Sequence, residues 1–223
     1  MTATPPRRPP TAQEFALAEL RRAITSRELK PGEPVRQDAV ADRLGMSRVP
    51  LREALKVLEG EGQVVYAPNR GYFVADLSMA DLEEVYRIRR VLEAEAAREA
   101  LRHLTDDDLA ALEQAHDDVV AAGRAGDVPR MAEANRRFHL GFLELSGLPR
   151  LVRLVRLQWD ATDAYRALYY GGPANRERVD HEHRDILDAL RRRDCDAVVA
   201  LLDAHREHAV TSLRAVLGNP PVS

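Results

Sequence analysis

Three histidines and one amide sit where helices would be expected to show apolar side chains. In the segment 127–146 the residues Val128, Met131, Phe142 and Leu143 trace one stripe at about 100° per residue, and Asn135 and His139 fall within it, one turn apart. In 175–192, His183 shares the stripe of Val179, Ile186, Leu187 and Leu190, while His181 points the other way. In 194–217, His205 lies near Val198, Leu202, Ala209 and Val216, with His208 further off. Three inward imidazoles plus an amide oxygen would make an N3O donor set for a divalent metal ion. A lone His on an apolar face is more often a satisfied core residue, which suits His116 on the face of Leu109, Leu112 and Val119. Periodicity leaves both readings open for the other three. Arg89 poses a similar choice. It shares a face with Leu82, Val85 and Leu92, and a buried guanidinium requires an anion, either Glu93 four residues on or a ligand.

A second set of residues suits nucleic acid. Between Gln37 and Leu55, Ala41 is small where two helices must approach, Gly45 stands four residues later where a turn needs positive φ, and Leu51 and Leu55 supply a buried face. Ser47 is a natural N-cap, and Pro50 falls in the first turn, where a missing N–H breaks no helical bond. That leaves Ser47, Arg48 and Arg52 on the outer side of the second helix, where Arg can reach guanine O6/N7 and Ser a phosphate. The triplets Val64-Val65-Tyr66 and Tyr72-Phe73-Val74 flank Ala67-Pro68-Asn69-Arg70-Gly71, a hairpin with a basic tip. A helix-turn-helix followed by such a hairpin is a winged arrangement for double-stranded DNA.

The elements that hold these residues are mostly helical. A helix is expected from Phe15 to Leu29, stopped by Lys30-Pro31-Gly32-Glu33-Pro34, then helices at 38–44 and 48–61, then the hairpin as the only strand-like stretch. Beyond Asp76 the breaks define six helices, at 79–103, 105–123, 127–146, 149–170, 175–192 and 194–217, which suit one antiparallel bundle. The 223 residues are 45% hydrophobic and 31% charged, a globular composition. The net charge of −3 divides unevenly, +3 over residues 1–75 and −6 over the remainder, as two domains with different partners would have. Cys195 alone allows no internal disulfide and no four-Cys zinc site, and no apolar run of about 20 residues could span a bilayer, so a cytoplasmic location and no membrane partner are expected. Aromatic residues, at 5%, are too few for single-strand stacking platforms.

The stretch Leu29-Lys30-Pro31-Gly32-Glu33, then Ala41 through Leu55, then Leu58-Glu59-Gly60-Glu61-Gly62, resembles the DNA-binding domain of the GntR family of bacterial transcription regulators. Asn69-Arg70-Gly71-Tyr72-Phe73-Val74 resembles that family's wing. The resemblance implies operator contacts from Ser47, Arg48 and Arg52 and a wing contact from Arg70-Gly71. Asp38 departs from the pattern, standing where many relatives have a DNA-touching Arg. Asn135-Arg136-Arg137-Phe138-His139, Glu182-His183-Arg184-Asp185-Ile186-Leu187 and His205 are similar to the metal motif of the FCD ligand domain found in the FadR subfamily, and six helices match its VanR-type subgroup.

Carried over, the resemblance implies metal ligands Asn135, His139, His183 and His205, a zinc, nickel or manganese ion, and an organic-acid effector anchored by Arg89, with Tyr165, Arg166 and Tyr169 lining the cavity. Asn in place of the more usual Asp leaves the site one negative charge poorer. The fold expected is mainly α: a tail at 1–12, a winged helix-turn-helix at 13–75, a linker at 76–79, an all-α FCD-like effector and dimerisation domain at 80–217, and a tail at 218–223. The function expected is a homodimeric repressor on an inverted repeat, modulated by a small carboxylate. One alternative is a metal sensor whose signal is the ion. Another is a metal-dependent hydrolase, disfavoured because no core-facing carboxylate beyond Glu93 offers a general base; the chain is therefore read as non-enzymatic.

Overall fold

The computed structural model describes residues 9–217. The chain divides into two compact units, Met1–Asp76 and Leu77–Ser223. The expected tail at 218–223, and most of the one at 1–12, lie outside the described residues.

In the first unit, α1 (Ala12–Thr25) starts in a capping box: Thr11 accepts from the Glu14 N–H while the Glu14 carboxylate accepts from the Thr11 N–H. The helix ends earlier than the Leu29 expected. Arg27 turns to φ 60° and the Leu29 N–H returns to the Ala23 carbonyl, so the stop lies upstream of Lys30-Pro31. α2 (Gln37–Arg43) and α3 (Arg48–Gly60) are joined through Gly45 at φ 63°. There the Met46 N–H bonds the Ala41 carbonyl and the Gly45 N–H that of Asp42, a Schellman closure that few residues but glycine can adopt. α1 packs on α3, and Leu20 and Ile24 of the one and Leu51, Leu55 and Leu58 of the other are buried. β1 (Val64–Ala67) pairs antiparallel with β2 (Gly71–Val74), Tyr66 opposite Tyr72. The other edge of β2 takes Gly32–Val35, through bonds from the Val35 N–H to the Tyr72 carbonyl and from the Val74 N–H to that of Glu33. This third strand-like segment was hidden in the sequence by Pro31 and Pro34, which read as breakers but are tolerated on a sheet edge.

The second unit is all helix: α4 (Met79–His103), α5 (Asp106–Ala125), α6 (Val128–Glu144), α7 (Pro149–Asp160), α8 (Asp163–Tyr170), α9 (Pro173–Arg191) and α10 (Cys195–Leu217). Thr105 and Asp108 form a capping box for α5, and prolines occupy the first turns of α6, α7 and α9. α5 packs along α6 and α9, and α4 along α7 and α10. Phe138, Leu143, Val155, Trp159, Ile186 and Leu190 belong to one buried cluster, and Leu82, Met131, Tyr170, Val179 and Leu213 to another. The helix expected over 149–170 is two helices, so the described residues hold seven in this unit and the six-helix count behind the VanR-type assignment is corrected. At the turn the Thr162 N–H bonds the Trp159 carbonyl at 3.1 Å, the Thr162 hydroxyl adds bonds to the carbonyls of Gln158 and Trp159 at 3.3 and 3.0 Å, and the Arg166 guanidinium donates to the Trp159 carbonyl at 2.6 Å.

Candidate functional site

The first unit presents one polar reading edge. Ser47, Arg48 and Arg52 are all exposed at the start of α3, with Val49 72% exposed beside them. Ser47 occupies the N-cap position, but its hydroxyl makes no capping bond, contrary to the role expected of it. Arg48 forms an ion pair with Asp38 of α2, so the residue that departs from the family pattern engages a candidate DNA contact directly. On the hairpin, Asn69 and Gly71 take φ 61° and 88°, and exposed Arg70 is braced over the Phe73 ring at 4.9 Å. The Gly71 conformation is one that a side chain would strain.

The second unit gathers the three inward histidines. Their nearest ligand atoms all lie within 4.8 Å of one another, and His139 Nε2 is 3.1 Å from His183 Nε2. α6 places Asn135 and His139 one turn apart, α9 supplies His183 and α10 supplies His205. His139 is held between the Trp159 ring at 5.3 Å and the His205 ring at 4.9 Å, and His183 stacks on Phe138 at 4.1 Å. Burial, reinforced by the neighbouring rings and by Arg89 and Arg206, holds His139 well below the usual imidazole range. Burial and then His205 and His116 do the same to His183. Both rings are therefore neutral near pH 7 and keep a lone pair for a cation. Asn135 is 1% exposed, and its Oδ1 has no hydrogen-bond partner. An orphaned buried acceptor is costly, and one that lines the same cavity as His205 fits a cation site.

Glu182, adjacent to His183 on α9, was not singled out in the sequence. Its two oxygens lie 2.6 Å from Nδ1 of His205 and 2.6 Å from Nδ1 of His208. Burial works to raise its pKa, but the bonds from His205 and His208 prevail and hold it below the usual carboxylate range.

Beside the histidines, Arg89 lies where both of its expected partners could be met. Its Nε donates to Glu93 at 2.7 Å, so the internal pair exists, and the same side chain lines a cavity with Asn135, Trp159, Arg166, His205 and Arg206. Glu93 also accepts from Arg206 at 2.7 Å and from the Trp159 indole at 2.8 Å. Burial would raise its pKa, but Arg89 and Arg206 outweigh burial and hold it ionised. The Trp159 ring is contacted by the guanidiniums of Arg89 at 4.2 Å and Arg166 at 4.5 Å. The Nε of Arg166 and that of Arg206 are buried without partners. The cavity between these groups is about 20 Å³, room for one water and not for an organic acid.

Tyr165 is engaged elsewhere. Its hydroxyl contacts the Ser78 backbone at 2.9 and 3.0 Å and the Asp81 carboxylate at 3.0 Å, tying α8 to the start of α4. It does not line the cavity, whereas Arg166 and Tyr169 do. His116 is buried with its Nε2 3.4 Å from Asp180, and its Nδ1 is unpartnered.

A winged helix-turn-helix with exposed arginines, joined to a helical unit with a buried polar centre, defines a DNA-binding protein with a second, ligand-type domain. The profile described as "Bacterial regulatory proteins, gntR family" matches residues 12–74, and that of the FCD domain matches residues 84–208. The HTH-type transcriptional regulator McbR of Escherichia coli is 31% identical over 79% of this chain and 80% of its own. The HTH-type transcriptional repressor RspR of the same organism is 29% identical over 88% of this chain and 86% of its own. The solved structure of E. coli McbR/YncC superposes with a TM-score of 0.83, at 26% identity, over 93% of this chain and 99% of that one. The chain belongs to the GntR family of bacterial regulators, in the FadR-like group that carries an FCD domain. It is a DNA-binding transcriptional regulator, and its relatives are regulators rather than enzymes.

Proposed function

We propose that the protein is a homodimeric, cytoplasmic repressor whose grip on an inverted-repeat operator is set by a small carboxylate bound beside a divalent metal ion. The observation that carries this reading is the convergence of three imidazoles and an orphaned amide oxygen next to three buried arginines. Asn135, His139, His183 and His205 would hold the ion, with zinc favoured by the imidazole donors and nickel or manganese also compatible. Such an ion supplies open coordination positions to a carboxylate oxygen. The rest falls to the protein. Arg89 and Arg206 are paired with Glu93, and the donors left free for an effector carboxylate are the buried Nε atoms of Arg166 and Arg206, which it would reach by widening a cavity of about 20 Å³. Such widening would shift α8 and α10 against α4, and it biases DNA binding only as far as the acid prefers one state.

The dimer reading is supported by an exposed apolar strip on two packed helices: Ile88 and Val91 on α4, Leu154 and Leu157 on α7. α4 of one copy thus offers an apolar match to α7 of another. The repressor sign follows the description of RspR. A second reading, in which the ion itself is the signal, is favoured by the smallness of the cavity. The test is metal analysis of the purified protein, followed by operator titration with free zinc buffered and organic acids added. Response to an acid at constant zinc supports the effector reading. Affinity that follows free zinc with no response to any acid supports the sensor.

A further inference from the structure

We propose that Glu182 is the positioning residue of the cation site: it fixes His205 as the Nδ1–H tautomer and so leaves the Nε2 lone pair for the ion. The inference rests on the reading of His139, His183 and His205 as ligands. Each oxygen of Glu182 meets an imidazole Nδ1 at 2.6 Å, Oε2 that of His205 and Oε1 that of His208. A carboxylate engaged by two imidazoles in this way accepts from both, so Nδ1 of His205 is the nitrogen that carries the proton. Free neutral histidine prefers the opposite tautomer, Nε2–H, which would block coordination through that nitrogen. Something must therefore enforce the less favoured form at His205, and among the contacts of that ring Glu182 is the carboxylate able to do so.

The local geometry suits the task. Glu182 and His183 are neighbours on α9, so a single turn aims one side chain into the cluster and the other at the partner on α10. His205 and His208 lie three apart on α10, on one side of the helix, and both reach the same carboxylate. His208, whose side chain is 47% exposed, occupies Oε1 and thereby keeps Oε2 turned to His205. Ligating histidines generally donate their far nitrogen to such a partner, and losing it weakens metal binding about 10–100-fold. His183 lacks that support, since its Nδ1 is unpartnered, which concentrates the orienting role on the His205 branch.

The test uses the full-length protein with 15N-labelled histidine. In the metal-free wild type, long-range 1H–15N correlation should show His205 as Nδ1–H. Glu182→Ala should move it towards Nε2–H, and Glu182→Gln, whose amide oxygen can still accept, should restore the Nδ1–H form. Zinc titrations should then show affinity about 10–100-fold weaker in Glu182→Ala, largely recovered in Glu182→Gln. An unchanged tautomer, or unchanged zinc affinity in Glu182→Ala beside a wild type that binds zinc, overturns the inference alone, whatever happens to thermal stability. A wild type that takes up no zinc overturns the cation site itself, and Glu182's role with it.

Discussion

Arg89, Arg206 and Glu93 form a buried group in which one carboxylate serves two guanidiniums and an indole. Removing one member of such a group leaves uncompensated charge in the interior, which commonly costs about 3–5 kcal/mol. Glu93→Ala should therefore unfold at a denaturant midpoint lower by an amount equivalent to that loss; an unchanged midpoint would mean that water already screens the two arginines. His139 and His183 give a pH dependence of definite sign. In the unfolded chain they bind protons as the pH falls below about 6.5, whereas in the metal-free folded protein they resist protonation until well below that. Stability from these two groups is thus intact above that value and declines on acidification. Urea midpoints at pH 7.5 and pH 5.5 would check this, and a protein more stable at the lower pH would contradict it. On the DNA-reading edge, Arg52→Ala should weaken operator binding by about 1–3 kcal/mol with an unaltered circular dichroism spectrum; unchanged affinity removes Arg52 from the readout. The inward histidines and Arg89 were legible because helical periodicity marks polar residues on apolar faces. Arg206 and Glu182 were not. Both stand in strongly polar stretches, Asp203 to His208 and Asp180 to Asp185, and their roles arise only when α10 meets Glu93 of α4 and α9 meets α10.

At the scale of elements, the site depends on where helices stop. α7 ends at Asp160, where Thr162 and Arg166 help to satisfy its last carbonyls, with Trp159 against two guanidiniums and Arg166 in the cavity wall. The sequence from Pro149 to Tyr170 lacks glycine and has no proline after its first residue, so its apolar spacing reads as one helix. The break lies in a two-residue turn whose hydrogen bonds are made by Thr162 and Arg166, residues that carry no helix-stop signal in the sequence, which is why it was missed. The turns built by local chemistry were legible: Gly45, Asn69 and Gly71 adopt positive φ where a helix-turn-helix and a hairpin require it. His183→Ala, which removes the ligand proposed on α9, should lower metal content and the effector response while leaving metal-free DNA binding nearly intact. Normal metal occupancy in that variant would refute the assignment.

For the whole molecule, one winged unit neutralises few phosphates, and two units on one duplex raise affinity without new contacts. The strip of Ile88, Val91, Leu154 and Leu157 is where a second copy is proposed to sit. Leu154→Glu should shift the protein from dimer to monomer in sedimentation velocity and weaken operator binding in parallel; a variant that stays dimeric would move the interface elsewhere. Two domains of opposite charge were apparent in the distribution of acidic and basic residues, and the boundary between units falls at Asp76–Leu77. The face through which copies meet was not apparent, because an exposed apolar residue on an amphipathic helix carries no mark of its partner.

Operator binding is proposed to answer to the buried centre of the helical unit. The most direct measurement is a fluorescence-anisotropy titration on the DNA upstream of the protein's own gene and on a shuffled duplex, at about 150 mM salt, with zinc-loaded wild type and His183→Ala, each with and without a panel of small carboxylic acids. The expected result is tight binding to the upstream duplex alone, and an affinity that an acid shifts in the wild type but not in His183→Ala. Equal, weak binding to both duplexes, or an acid response that survives in His183→Ala, would contradict it.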